Sequence, residues 1–442
     1  MTHSEVRDAL NEYEVIPSKK LGQNFLCDQN VAKWIVDQLD IQPEDTVVEV
    51  GPGTGALTEF VVPQAKKVIL VEFDARLADR LKTIFAQTDH VTVHHIDAVR
   101  FDVRQLLPGG PIKFIGNLPY SCGGEILKNF LQRPSLVTKA VVMLQKEFID
   151  RIVAKPRTKA YGILSLRMQA EWDSVPVKTV PPEAFYPRPL IDSTVMTVTP
   201  TATEWPVYDH RLFDELIRRG FAQRRKMLRK AMPETADWAE VAAQLEISET
   251  CRAEELDLKT WIELARIYDD HPLKGTAQDP EELFDVVDET DNVLRTEKRA
   301  IVHAEKLLHR SVHILVFNKH NDVFLQKRSK LKDTFPGRWD SSAAGHLDTG
   351  EDYPEAVNRE LQEELGITDA PLKFIKKLPP SEQTGWEHVG VYAAAHLGSV
   401  RYPCSEIEVG IWVPQDIVTD WIAARPEDFA PGFLAAWAAF AE

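Results

Sequence analysis

Between residues 46 and 145, short apolar runs alternate with stretches of helical periodicity: TVVEV (46–50), KVILVE (67–72), VTVHHID (91–97), KFIGNLPY (113–120) and KAVVMLQ (139–145). Apolar runs of this length, bounded by turn residues, read as buried strands. Their alternation with helices predicts an open, mainly parallel sheet covered on both faces, with ligands at the C-terminal strand ends. Farther on, LFDELIRRGFAQRRKMLRKAM (212–232) has helical apolar spacing, with a break expected at Gly220. DDHPLKGTAQDPE (269–281) is polar and aperiodic and reads as a linker. Beyond it FDVVDETDNVL, VHILVF and VFLQKR are strand-like, and Pro354 is placed to open a helix. The expected organisation is a sheet domain over 1–204, a small helical subdomain over 205–268, the linker, and a second α/β domain over 282–442.

Composition narrows the class. The chain has 442 residues, 44% hydrophobic and 27% charged, the mixture of a multidomain globular protein. No apolar stretch approaches the ~20 residues of a membrane span, and the N-terminus has neither a basic start nor an apolar centre, so a cytoplasmic protein is expected. Cys27, Cys122, Cys251 and Cys404 are widely spaced, which argues for reduced, structural thiols over a disulfide framework or a zinc site. The net charge of −16 excludes a nucleic-acid binder by bulk charge. Arg218, Arg219, Arg224, Arg225, Lys226, Arg229 and Lys230 nevertheless crowd into thirteen positions. Of these, Arg224, Arg225, Lys226 and Arg229 are the expected RNA contacts of a local basic ridge. Nothing in the sequence sets the oligomeric state.

Four strand ends carry chemistry. The first leads into Glu49-Val-Gly51-Pro-Gly53-Thr-Gly55, a glycine loop that admits a ligand close to the backbone. Glu72, about twenty residues on, is suited to ribose hydroxyls, and Asp97 to an adenine amino group. Without a diphosphate cradle, such a pocket fits S-adenosylmethionine better than a dinucleotide. The fourth strand ends in Asn117-Leu118-Pro119-Tyr120. An adenine amine is a poor nucleophile because its lone pair is delocalised. Acceptors aimed at its hydrogens, the Asn117 side-chain carbonyl and the Leu118 backbone carbonyl, favour the attacking geometry, while Tyr120 is placed to stack on a base.

These motifs, preceded by Lys19-Lys20-Leu21-Gly22-Gln23-Asn24-Phe25-Leu26, resemble in order those of the ribosomal RNA adenine dimethyltransferases. Gln145-Lys-Glu147, Tyr161-Gly162 and the run from Pro182 through Phe185-Tyr-Pro187 to Ser193 continue the match, which covers roughly residues 18–268. The resemblance implies a Rossmann-like S-adenosylmethionine-dependent methyltransferase sheet and dimethylation of an adenine N6. Asn24, Leu26, Gly51, Gly53, Gly55, Glu72, Asp97 and Asn117 would line the cofactor, with Phe185 stacked on the flipped base. Ile96 stands where the family usually has glycine. The FAQRRKMLRK helix and the helical subdomain favour the bacterial small-subunit enzymes, acting on adjacent adenines, over large-subunit resistance methylases or mitochondrial relatives.

Gly345 to Ile367 (GHLDTGEDYPEAVNRELQEELGI) adds a second chemistry. On a helix opened by Pro354, Glu360, Glu363 and Glu364 share one face at i, i+3 and i+4, and three massed carboxylates call for a hard cation such as Mg2+. Gly345, Gly350 and Gly366 are expected to supply turns. A charge run is ordinarily a solvated face. Here nine specified positions match the Nudix box at fixed spacing. That resemblance implies an α/β/α sandwich hydrolysing a nucleoside diphosphate linked to another moiety. Glu360, Glu363 and Glu364 would hold metal, and Arg359 would orient a carboxylate, so that Arg359 and Glu363 count among the catalytic residues. The stretch ahead of the box resembles a subgroup that includes isopentenyl-diphosphate isomerases, but Ser341-Ser342-Ala343-Ala344 lacks their cysteine acid, which favours hydrolysis. His309, His313 and His346 lie where they could approach phosphates, although histidines on strands are more often structural. Glu406 and Glu408 are further metal-ligand candidates. Two readings stand side by side: a bifunctional enzyme, or a chain in which one half is catalytically silent and serves as a ribosome- or nucleotide-binding module.

Overall fold

The computed structural model describes residues 3–17, 22–270 and 278–442. The chain forms two compact units, Met1–Asp269 and Asp270–Glu442. Lys19, Lys20 and Leu21, and most of the expected linker, lie outside the described residues. Gln278 to Glu281 belong with the second unit, where Pro280 O accepts from Ala300 N.

In the first unit β1 (Phe25–Leu26) pairs with β8 (Phe185–Tyr186). The main sheet contains β2 (Thr46–Val50), β3 (Lys67–Glu72), β4 (Val91–His95), β5 (Ile112–Asn117), β6 (Val137–Gln145), β7 (Trp172–Val180) and β9 (Ser193–Pro200), in the order β4-β3-β2-β5-β6-β9-β7. The strands from β4 to β6 are parallel, and β9 and β7 add antiparallel pairs. Alternate side chains feed two cores. Val48, Val50, Ile69 and Phe114 join one, and Val47, Val68, Leu70 and Ile115 the other, as a sheet covered on both faces requires. Aspartates fix the helix starts: Asp28 Oδ1 accepts from Asn30 N at 2.9 Å, and Asp74 caps the helix that follows Glu72.

The helical part holds its own core around the fully buried Trp261. Its first helix, His210–Ala222, runs through Gly220 without a break and ends two residues later. Gly220 serves packing instead. A Cβ there would lie 2.6 Å from Trp261, an overpacking that costs ~1–3 kcal/mol.

The second unit has a hairpin, β10 (Leu283–Val287) with β11 (Val293–Lys298), and a seven-stranded mixed sheet. That sheet contains β12 (His309–Phe317), β13 (Val323–Arg328), β14 (Trp339–Asp340), β15 (Ala343–His346), β16 (Leu372–Leu378), β17 (Glu387–Ala395) and β18 (Ile407–Val413). Two registers gather polar side chains at one end of β12. This strand runs parallel to β17 with His309 opposite Glu387, and antiparallel to β15 with Ser311 opposite His346. The helix Tyr353–Leu365 is capped by Asp352, whose carboxylate accepts from Glu355 N while Glu355 reaches back to Asp352 N. Gly366, at φ 64°, closes it in the left-handed conformation. Among the described residues no helix is long and apolar enough to cross a membrane, and the four cysteines are free thiols.

Candidate active sites

In the first unit a cavity of about 420 Å³ opens at the C-terminal ends of β2, β3 and β5. Gly51 and Gly53 have φ of 66° and 56°, which only glycine adopts freely, and a Cβ on Gly53 would meet the Phe25 ring at 3.0 Å. Glu72 is buried, with Oε2 accepting from Gly53 N and Oε1 from Asp74 N, both at 2.9 Å. Burial raises its pKa, and the amide bonds partly offset that. Asp97 lines the cavity and accepts from Val99 N at 3.0 Å. Ile96 has negative φ and its N–H bonds Glu72 O at 2.9 Å, so the backbone before Asp97 does not require glycine.

Asn117 donates from Nδ2 to Asn24 O at 2.9 Å, leaving Oδ1 as the acceptor end of a side chain that lines the cavity. Leu118 N–H is held by Met143 O, and its side chain is in the core. Tyr120 is tied at its hydroxyl to Ser193 Oγ at 2.5 Å. Gly22, at φ 65°, allows the segment 22–26 to approach this turn, since a Cβ there would lie 3.1 Å from Tyr120 N. Glu49, on β2, also lines the cavity, and its Oε2 has no hydrogen-bond partner among the described residues. Burial pushes its pKa up to about 8.

In the second unit a cavity of about 1140 Å³ is lined by the box helix and the facing strands. Glu360 and Glu364 are buried one turn apart, whereas the Glu363 side chain is 60% exposed. Gly345 lies inside β15 and makes no turn. Its missing Cβ is what admits Glu360, whose Oε1 would otherwise sit 1.9 Å from it. Gly350 does turn, at φ 81°. Glu364 Oε2 accepts from Gln326 Nε2 at 3.1 Å and Ala344 N at 3.2 Å. Burial first, then repulsion from Glu364, raises the Glu360 pKa. Burial raises that of Glu364 against the pull of Lys332, whose Nζ lies 3.9 Å away. Arg359 grips both Glu351 oxygens at 3.0 and 2.9 Å and reaches Glu360 at 2.8 Å, Glu363 at 3.2 Å and His346 O at 2.8 Å. It therefore orients carboxylates from two sides of the site.

A family model described as ribosomal RNA adenine dimethylase matches residues 17–270. The ribosomal RNA small subunit methyltransferase A of Francisella tularensis subsp. tularensis (strain WY96-3418) is 35% identical over 257 residues, covering 58% of this chain and 98% of its own length. The protein of the same name from Picosynechococcus sp. is 37% identical over 271 residues with the same coverage. The chain belongs to the ribosomal RNA adenine dimethylase family. It differs from a plain dimethylase in its second unit, where a NUDIX domain model matches residues 307–429. There the NUDIX domain of Shewanella oneidensis NrtR, solved with ADP ribose, is 19% identical, covers 30% of this chain and 85% of its own, and superposes with a TM-score of 0.25.

Several expected residues of the dimethylase unit stand elsewhere. Phe185 is 1% exposed. Paired with Leu26 across β1 and β8, its ring fills the sheet core and is not displayed on a loop. The aromatic residues that line the cavity are Phe25, which pairs with Tyr186 across β1 and β8, Phe73 and Tyr120. Gly55 does not line the cavity, and its open face turns toward Leu81 and Thr58. Arg224 is engaged internally, on Glu254 at 2.5 Å and the carbonyls of Lys159 and Thr158 at 2.8 Å. Arg218 and Arg219 pair with Asp214 and Glu215. Arg225, Lys226 and Arg229 are exposed, past the helix end, on a turn and a short 3-10 segment. In the Nudix domain Glu406 lines the cavity and is paired with Lys332, while Glu408 is bonded to Lys327 at 3.5 Å, away from it. His313 is buried and bonded to Ser341 Oγ at 2.8 Å. Sequence reasoning missed Glu49, Phe25, Lys332 and Glu351. The box pattern specifies Glu351, and that was the available signal for it.

Proposed function

We propose that the first unit transfers methyl groups from S-adenosylmethionine to N6 of two adjacent adenines of small-subunit ribosomal RNA, and that the second is a Mg2+-dependent hydrolase of a nucleoside-diphosphate-type substrate. The observation that carries the first half is Asn117, whose Nδ2 is anchored on Asn24 O so that Oδ1 is presented as an acceptor. The residues fit the cofactor. Glu72 and Asp97 offer acceptors to ribose and adenine, and the bare, buried Glu49 Oε2 offers one to a donor-bearing group. When bound, the cofactor supplies an electrophilic methyl group. Asn117 Oδ1 and the Leu118 carbonyl would accept hydrogen bonds from the amine and orient its lone pair, and the N–H proton released on methylation would pass to solvent. Tyr120, held by Ser193, offers a ring face to the flipped base. Acting on ribosomal subunits, the protein would work in the cytoplasm.

Full-length protein incubated with tritiated S-adenosylmethionine and undermethylated small subunits should place label on paired adenines. Label elsewhere in the RNA would move the target, and none at all would contradict the proposal. RNA contact is assigned to Arg225, Lys226 and Arg229. Replacing all three by Ala should weaken binding uniformly and reduce the salt slope by ~0.7–0.9 for each phosphate left without its cation, with cofactor affinity unchanged. Arg224→Ala should instead lower the melting temperature, since it leaves Glu254 and two carbonyls without their partner. An equal loss of RNA affinity in the two variants would refute this division.

In the Nudix domain the donor set suits Mg2+: Glu360 and Glu364, together with the exposed Glu363, supply oxygen ligands. A divalent cation offsets the cost of burying the first two as charged groups, and after that the repulsion of Glu360 by Glu364 and of Glu364 by Glu406. A bound ion would neutralise diphosphate charge. Arg359 holds the carboxylates in place. Burial pushes Glu360 and Glu364 up to about 8 and about 7. Protons must leave before a metal enters, so Mg2+ affinity should rise with pH across that window and level off above it. Calorimetry in buffers of different ionisation enthalpy should show proton release, and pH-independent binding would rule out these ligands.

A further inference from the structure

The two faces of β12 have different neighbours. Val312, Ile314 and Val316 enter the core with Val357 and Leu361 of the box helix, whereas Ser311 and His313 alternate onto the other face and line the cavity. His313 stands opposite Ala344, whose N–H holds Glu364, so it lies one strand away from a box carboxylate.

The hydrogens of His313 are placed by its neighbour. The residue is 8% exposed, and Nδ1 lies 2.8 Å from Ser341 Oγ. Ser341 is fully buried, and its hydroxyl has no other partner among the described residues. Asp340 does not compete for Nδ1. Its Oδ1, at 3.8 Å, is beyond hydrogen-bond reach, and its oxygens take Ser341 N at 2.7 Å and Arg328 at 2.8 Å. A buried hydroxyl hydrogen needs an acceptor, and Nδ1 is the one it has. Ser341 therefore donates, and the neutral ring carries its hydrogen on Nε2.

That Nε2 has no partner among the described residues and faces the start of the helix Pro431–Ala441. A Cβ on Gly432 would lie 2.8 Å from Nε2 and 2.9 Å from Cε1, so glycine is what leaves this ring edge uncovered. Pro431 has no N–H and the N-cap Ala430 has no side chain able to accept, so the helix presents its positive end with the Gly432 and Phe433 amides uncapped. Two residues back along β12, Ser311 is 3% exposed and its hydroxyl is also without a partner among the described residues. A lone donor and an unsatisfied buried hydroxyl on one face of one strand call for a polar ligand edge.

We infer that His313 and Ser311 form a base-recognition subsite of the Nudix domain, taking the edge of uracil or guanine on which a carbonyl stands beside a ring N–H. The inference rests on the nucleoside-diphosphate reading of this unit and adds which base it takes. His313 Nε2–H donates to the carbonyl, and Ser311 Oγ accepts from the ring N–H. Cytosine and adenine carry an amino group in place of that carbonyl, so two donors would meet at His313 and neither would be satisfied. The cations of this wall, Arg328 and Lys332, are paired with Asp340 and Glu406, which favours a neutral carbonyl over a phosphate oxygen as the partner of Nε2.

The test is base preference in binding, read apart from hydrolysis. Full-length protein, with S-adenosylhomocysteine added to occupy the first unit's cavity, is titrated calorimetrically in Mg2+ with the α,β-methylene analogues of UDP, CDP, GDP and ADP. The uridine and guanosine analogues should bind roughly 10–100-fold more tightly than the cytidine and adenosine ones. His313→Ala removes the donor, and Ser341→Ala releases the ring to carry its hydrogen on either nitrogen, so each should bring the ratio below about threefold. Equal binding of the two pairs by wild type, no binding of any analogue, or a ratio unchanged in both variants overturns the inference. If His313→Ala does not fold by circular dichroism, Ser341→Ala decides. UDP and CDP hydrolysed without any difference in analogue binding would remove the subsite and keep the hydrolase. The predicted binding ratio in a protein that hydrolyses neither would keep the subsite and remove the hydrolase.

Discussion

Asn117→Ala should lower the single-turnover rate of methyl transfer to small subunits by about 10²–10³-fold, the range found when one preorganised polar group is removed from a site where charge develops. The amide has two jobs here. Nδ2 ties the turn after β5 to the segment 22–26 through Asn24 O, and in the proposed mechanism Oδ1 accepts from the amine. Asn117→Asp separates them: it keeps an acceptor oxygen but sets a carboxylate against the Asn24 carbonyl. It should therefore loosen the 22–26 segment and weaken cofactor binding as well as slow transfer. The measurement is rate against cofactor concentration for both variants. A loss of less than tenfold for Asn117→Ala would remove it from the chemistry.

Glu364→Gln should reduce metal-dependent hydrolysis by roughly 10²–10³-fold, because a divalent ion stabilises a diphosphate transition state by several kcal/mol and Glu364 is one of its proposed ligands. The same variant should fold well. Glutamine fills the same volume and still accepts from Gln326 and Ala344, and it removes a buried charge beside Glu360, so the metal-free melting temperature should not fall. Activity lost with stability intact marks a functional carboxylate. Phosphate release from a panel of nucleoside diphosphate derivatives and a thermal scan measure both, and undiminished hydrolysis would contradict the assigned ligands.

The strand ends were legible because their signals are local. A glycine loop follows β2, carboxylates lie at fixed distances along the chain, and Asn117 sits at a strand end by periodicity alone. The Nudix helix was legible for the same reason, with its proline and its i, i+4 carboxylates on consecutive turns. The misses depend on partners distant in sequence. Phe185 reads as a displayed ring until β1 pairs with it and buries it. Arg224 reads as one of seven surface cations until Glu254 and two carbonyls claim it. Gly345 reads as a turn because nothing in its neighbourhood shows that Glu360 needs the space. Glu387 reaches His309 only through the parallel β12–β17 register, which no local pattern encodes.

The central claim is that one chain houses two separate catalytic centres. Its most direct test is one set of purified full-length proteins, wild type, Asn117→Ala and Glu364→Gln, each assayed for adenine methylation of small subunits and for metal-dependent diphosphate hydrolysis. The account predicts that each substitution lowers its own activity by about 10²–10³-fold and leaves the other at the wild-type rate. Wild-type protein lacking either activity, or one substitution abolishing both in folded protein, would contradict it.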